Sequence, residues 1–230
     1  WKKMKKQMEK EKKAAAKAAA KKTEAKSSKK KDEEEDEANL DPNQYYEIRC
    51  KKMEKLQAEG FNPYPHKFEA KMSIPNFIQK FANTAEGKQL DLVTSLAGRV
   101  SRKASSGKLK FLFITADDSK VQIFANPRAA TNQAEFEKVM NIIRRGDLIG
   151  VVGKPGKTKT GELSIFASEI KLLAPCLHML PGARKGLKDK EIRFRKRYLD
   201  LIINQNVRKT FYVRSQIINY IRRYLDSRGF

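Results

Sequence analysis

The residues best suited to chemistry in this chain are aromatic and cationic. Phe111 and Phe113 alternate with Leu112 in the run Lys110-Phe111-Leu112-Phe113-Ile114-Thr115. Successive side chains of a strand point to opposite faces, so one set fills a core while the other is exposed. An exposed Phe offers a flat surface on which a nucleobase stacks. Arg99, Arg102 and Lys103 stand just upstream, where cations hold phosphates or base edges. Other chemistries lack their residues. Cys50 and Cys176 have no CxxC partner, and neither His66 nor His178 has a second histidine or a carboxylate at metal spacing. Gly156-Lys157-Thr158 looks like the end of a phosphate-binding loop, but GxxxxGK[ST] needs Gly at the position of Val151, and Pro155 removes an N–H from the cradle. No acid–base or nucleophile constellation stands out.

The charge balance points the same way. The 230 residues carry 50 Lys+Arg against 27 Asp+Glu, a net charge of +23 whose natural counterpart is a polyanion. Residues 1–31 hold 14 Lys and 3 Glu, or +11, and the acidic run 32–37 subtracts six, which leaves +18 on residues 38–230. The basic character is therefore not confined to a tail. Residues 1–26 contain no Gly or Pro and are rich in helix formers, so this stretch is expected to be disordered alone and helical on RNA. Lys2, Lys5, Lys12, Lys13, Lys17 and Lys21 are its candidate RNA-backbone contacts. No window approaches the roughly 18 apolar residues of a membrane span, which excludes an integral membrane protein. The absence of a signal-peptide pattern and the unpaired cysteines suggest the cytosol.

These residues must be positioned by a fold, and the periodicity supplies one. A helix is expected from Asp41-Pro42 through residue 58, closed by Gly60, with Tyr45, Ile48, Met53 and Leu56 as its apolar positions. A second short helix starts at Ser73-Ile74-Pro75 and turns Phe77, Ile78 and Phe81 to one face. Strands are expected at 92–100, 110–115, 121–125, 147–152 and 163–167, with Gly98 marking a bulge or bend and 153–156 a loop. Between the third and fourth strands, Phe136, Val139, Met140 and Ile143 recur at helical spacing. Three strands, a helix and two strands make a five-stranded Greek-key OB-fold barrel, a common platform for oligonucleotides. The basic loop containing Lys157 and Lys159 is a hairpin tip placed to touch a nucleic-acid backbone.

Four segments carry a family resemblance: GKTKTGELS at 156–164, PCLHMLP at 175–181, GLKDKE at 186–191 and RKRYLDLI at 195–202. They resemble eukaryotic cytoplasmic lysyl-tRNA synthetases, class IIb enzymes with an N-terminal anticodon-binding OB domain. The resemblance implies that Phe111 stacks on the central U of the lysine anticodon, while Gln122 and Glu162 hydrogen-bond base edges. It places the family's basic residue at the end of strand 1 near Arg102 or Lys103, and it matches Arg99 through Ala97-Gly98-Arg99. The Lys/Ala-rich arm resembles the tRNA-binding extension of eukaryotic members.

The resemblance also implies a layout. Residues 1–37 form the extension, 38–89 a helical linker packed on the barrel, and 90–175 the anticodon-binding domain. Residues 176–230 hold a linker and the first helix of a class II α/β catalytic domain, the start of motif 1, which forms the dimer interface. That helix is expected over 208–228, with Val213, Ile217 and Ile221 as homodimer contacts. Motifs 2 and 3, which hold ATP and Mg²⁺, are not in this sequence, so the chain alone is expected to be inactive and to bind no cofactor or metal. The parent activity implied is a lysine–tRNA ligase with tRNA(Lys), above all its anticodon loop, as partner. Two readings compete with it. One is a free-standing OB-fold module for RNA or single strands, which is not expected to end with an unpartnered apolar helix face. The other is a basic ribosome- or chromatin-associated protein, which leaves the aromatic face unexplained.

Overall fold

The computed structural model describes residues 40–106, 109–182 and 186–230. The arm lysines Lys2, Lys5, Lys12, Lys13, Lys17 and Lys21, the acidic run 32–37 and residues 107–108 between the first two expected strands lie outside the described residues. The chain divides into two compact units, 1–51 and 52–230. The described part of the first is the beginning of helix α1 (Pro42–Ala58), where the Asp41 carboxylate accepts the Asn43 N–H at 3.1 Å. Tyr45 and Arg49 are buried there, whereas Ile48 is 46% exposed, contrary to expectation. At 100° per residue Ile48 falls at the edge of the stripe that Tyr45 and Arg49 define.

In the second unit, Met53 and Leu56 at the end of α1 join one core with the barrel. Helix α2 (Ile74–Phe81) is capped by the Ser73 hydroxyl, which accepts the Asn76 N–H. Its Ile74, Phe77 and Phe81 are buried against β1 and β3, with the two rings 5.1 Å apart, while Ile78 is only partly covered. Strands β1 (Thr94–Ser106), β2 (Leu109–Ala116), β3 (Ser119–Ala125), β4 (Leu148–Lys157) and β5 (Leu163–Ala174) close a barrel in the order β1-β2-β3-β5-β4. All pairs are antiparallel except β3–β5. Helix α3 (Gln133–Ile142) lies between β3 and β4 in sequence and packs on β5 through an apolar side formed by Phe136, Val139 and Met140. This is the OB-fold barrel expected from the strand order.

The structure corrects two local readings. Gly98 is not the bulge: it pairs in register with Ile149, and the irregularity comes three residues later, where Ser101 is inserted between the Val100 and Arg102 pairings. Gly98 is needed for space, since a Cβ there would lie 3.2 Å from the Thr115 carbonyl and from Ile114. Residues 153–156 are strand and not loop. Gly153 passes so close to Phe166 that a Cβ would collide with its carbonyl, and Gly156 is pressed against the Lys88 carbonyl. Pro155 needs no N–H because that edge uses its carbonyl, which accepts from Leu90 at 2.9 Å.

After the barrel come α4 (Lys190–Arg195), α5 (Arg197–Ile203) and α6 (Gln205–Asp226). Asp200 joins the first two of these helices. Its carboxylate, 0% exposed, accepts from Arg193 Nε at 2.9 Å, from Asn204 Nδ2 at 2.6 Å and from Arg197. Burial alone would raise its pKa, but the hydrogen bonds from Asn204 and Arg193 and the charges of Arg193 and Arg197 outweigh burial and hold it below the usual carboxylate value.

Candidate nucleic-acid interface

Strand alternation sorts the barrel's side chains into two sets. Leu112, Ile114, Val121, Ile123 and Ile165 point inward and are 0–3% exposed. Phe111, Phe113, Gln122, Phe124, Ser164 and Phe166 belong to the outer set. The Ser101 bulge shifts the phase of β1, so that Arg102 pairs with Phe113 and joins this outer face.

The pairing register arranges these residues in two adjacent rows. One runs Arg102, Phe113, Gln122, Ser164 across β1, β2, β3 and β5. The other runs Ala104, Phe111, Phe124, Phe166 and on to Lys154 of β4. Phe111 meets Phe124 edge-on at 5.4 Å, and Phe124 meets Phe166 at 5.0 Å. The second row is therefore a run of three partly exposed rings, and the first is a polar row with one ring in it. The two rows lie two residues apart along each strand.

Phe111, Gln122 and Arg102 are thus brought onto one face, and Glu162 stands immediately before β5, two residues ahead of Ser164. The backbone of Glu162 is held firmly. Its N–H donates to Thr158 Oγ1 at 3.1 Å, and its carbonyl accepts from the Thr158 N–H at 3.0 Å and from the Ser164 hydroxyl at 3.2 Å. The turn is braced from outside by Gly87 N–H to the Thr158 carbonyl at 3.3 Å and by Lys157 N–H to the Lys88 carbonyl at 3.0 Å. The carboxylate itself is exposed and, among the described residues, forms no ion pair. A rigid mount with an unused acceptor suits recognition of a base N–H. Gln122 is only 8% exposed.

Arg99 and Lys103 are not brought to this cluster in the same way. Arg99 Nη1 donates to the Gly146 carbonyl at 2.7 Å, and Lys103 Nζ lies 3.5 Å from the Ile143 carbonyl, so both reach toward the α3–β4 connection. Arg102 is exposed and, among the described residues, makes no ion pair. Lys157 ends β4 half-buried, and Lys159 sits exposed in the hairpin turn. Lys154 is engaged with Asp91, whose carboxyl is held below its ordinary pKa by the hydrogen bond and charge of that lysine.

The sequence reading missed Lys120 and the rings of Phe124 and Phe166 as members of this face. Lys120 is exposed, and its Nζ lies 4.3 Å from the centroid of the Phe113 ring. The signal was strand alternation on β3 and β5, but only the register shows which strands are neighbours.

Away from the barrel, α6 carries Val213, Ile217 and Ile221 at 44%, 54% and 50% exposure, an apolar stripe without cover among the described residues. No group of three or more His, Cys, Asp or Glu among the described residues converges so as to hold a metal ion. No described helix is long and apolar enough to cross a membrane.

Residues 94–173 match the family model for the OB-fold nucleic acid binding domain, and residues 189–230 match that for tRNA synthetases class II (D, K and N). Among curated proteins, the chain is 46% identical over 202 residues to lysine–tRNA ligase cla4 of Cladosporium cladosporioides, covering 84% of this chain and 34% of that protein. It is 38% identical to a probable cytoplasmic lysine–tRNA ligase of Encephalitozoon cuniculi, covering 84% and 37%. It is 39% identical to lysine–tRNA ligase of Halalkalibacterium halodurans, covering 82% and 38%. The chain spans little more than a third of the length of these relatives.

Proposed function

We infer that this chain, which belongs to the class II tRNA synthetases of the D, K and N group, binds tRNA through the outer face of its barrel and reads the lysine anticodon there. The protein of which it forms part is a lysine–tRNA ligase, as its relatives are named. Enzymes of this group use ATP and Mg²⁺ to activate the amino acid. In this reading the chain's own share of the task is RNA recognition. The layout that follows is an arm at 1–37, a linker at 38–89, the anticodon barrel at 90–175 and the entry to the catalytic domain at 176–230.

The observation that carries this reading is the exposed Glu162 carboxylate, without an ion pair among the described residues, on a firmly bonded turn just before β5, whose Ser164 pairs with Gln122, in a chain of net charge +23. A surface built only for affinity would gain nothing from an exposed acid. A surface built to choose a base gains an acceptor. In this reading Phe111 stacks on the central base. Gln122 and Glu162 face Watson–Crick edges, where uracil offers an N–H and cytosine an unprotonated nitrogen. Exchange of one for the other leaves an acceptor facing an acceptor, an unpaired arrangement that costs about 1–3 kcal/mol. Arg102, with Arg99 and Lys103 further along, supplies positive charge on the β1 side, and Lys157 and Lys159 supply it at the hairpin. Lys2, Lys5, Lys12, Lys13, Lys17 and Lys21 add affinity without base choice. Val213, Ile217 and Ile221 are covered by a second subunit, and the protein works in the cytoplasm, as its Encephalitozoon cuniculi relative is named.

The test is binding of anticodon stem-loops that differ only in the central base. UUU should bind about tenfold or more tighter than UCU, equivalent to about 1.4 kcal/mol. Equal affinities would refute anticodon reading by this face.

A further inference from the structure

We propose that Lys120 is a phosphate-binding residue of the barrel face, held in place by the ring of Phe113, and that it grips the RNA backbone beside the base stacked on Phe111. The proposal rests on the anticodon reading and extends it to a residue that the reading does not use.

Three observations carry it. Lys120 is exposed, and its Nζ stands 4.3 Å from the Phe113 ring centroid, well within cation–π range. A free lysine samples many rotamers, and the ring restricts that freedom before any ligand arrives. Second, the ammonium carries no ion pair among the described residues. In the turn just before Lys120, the Asp118 carboxylate is paired with Arg208 at 2.8 Å. Third, the register places Phe113 between Arg102 on one side and Gln122 on the other, while Phe111 lies two residues along the same strand and face, about 7 Å by strand rise. That is one step along an extended single strand. A compact, strongly hydrated ammonium suits a phosphate better than a base edge, because it offers point charge without the fork that bidentate base contacts need.

The β2–β3 turn fixes where Lys120 starts. Asp117 and Asp118 sit at φ 49° and 58°, the two left-handed positions of a tight two-residue hairpin, so Ser119 already pairs with Ala116 and Lys120 with Thr115. Lys120 is thereby placed on the same outer face as Phe113, and little of its position depends on a mobile loop.

The experiment measures the affinity of Lys120→Met and Lys120→Arg for the UUU and UCU stem-loops over a salt series, with a thermal melt to establish folding. Lys120→Met should weaken both stem-loops by the same factor, about five- to tenfold at low salt. It should reduce the slope of log K against log salt by about 0.7, the value for one phosphate contact on a single strand. Lys120→Arg should restore the slope. In a Phe113→Leu background the loss from Lys120→Met should shrink at least twofold, because the ring no longer holds the ammonium. An unchanged slope in a folded Lys120→Met protein overturns the proposal, as does a loss confined to one of the two stem-loops. If the unsubstituted protein binds UUU and UCU equally but the Lys120 slope change is present, the anticodon reading fails while the phosphate contact stands.

Discussion

Replacing Phe111 by Ala separates binding from folding on this face, because the two costs differ in origin. The ring is partly exposed and has its edge on Phe124 at 5.4 Å, so it contributes to the outer surface and not to the barrel interior that Leu112 and Ile114 fill. The lost aromatic contact is worth about 0.5–1.5 kcal/mol, well below the 3–5 kcal/mol of truncating a core Phe. Against an ordinary domain stability of about 5–15 kcal/mol the variant stays folded. Loss of a stacked base costs about 1–3 kcal/mol, or roughly five- to 150-fold in Kd. The assay is fluorescence anisotropy with a labelled anticodon stem-loop, beside an RNA duplex without a loop. Phe111→Ala should weaken the stem-loop by at least fivefold and leave the duplex within twofold, since a paired base has no free face to offer. Phe111→Trp should recover most of the loss, whereas Phe111→Leu, which keeps apolar bulk without a flat π-face, should not. A loss under twofold, or equal losses on stem-loop and duplex, would show that the ring does not stack on the loop.

Two further outcomes follow from charge. Deleting residues 1–31, which carry +11, should lower affinity for many tRNAs alike and flatten the salt dependence while leaving the UUU-to-UCU ratio unchanged; an unaltered slope rules out the arm as an electrostatic contact. Because the Asp200 pKa is lowered in the folded state, the stability it contributes is complete above its unfolded value of about 3.9 and is lost as pH falls through the folded value. Asp200→Asn should therefore cost about 1–3 kcal/mol at pH 7 and narrow the gap between melting temperatures at pH 7 and pH 3. The lower end of that range is favoured because the Arg193 and Arg197 side chains are each 31% exposed and can be rehydrated; a gap of unchanged width would show that the carboxylate contributes nothing through its charge.

The order of strands and the helix between the third and fourth were legible because alternation and helical spacing are properties of a segment alone. Leu112, Ile114, Val121 and Ile123 announce their inward face by position, and the structure buries all four. What the sequence hid depends on neighbours. Gly153, Pro155 and Gly156 read as turn formers, yet each serves a strand: the glycines admit Phe166 and the Lys88 backbone, and the proline lies where the edge needs only a carbonyl. Ile48 and Arg49 differ by one position on a helix, too little for hydrophobicity to say which is covered. The Ser101 bulge has no composition signal, but it decides that Arg102 shares a face with Phe113 while Lys103 reaches the Ile143 carbonyl.

That bulge shows why net charge says so little about the site. Arg99, Arg102 and Lys103 look equivalent in sequence, three cations within five residues. In the fold one donates to the Gly146 carbonyl, one leans on the α3–β4 connection, and only Arg102 stands beside the rings with its charge unspent. Lys120, absent from any cluster in the sequence, gains its place because a tight turn delivers it onto Phe113. In the proposed reading, positive charge elsewhere on the chain draws RNA from a distance and is weakened by salt wherever it is exposed. On the same reading, selection depends on few groups: a ring and an amide that the register sets on one face, and one acid just before β5.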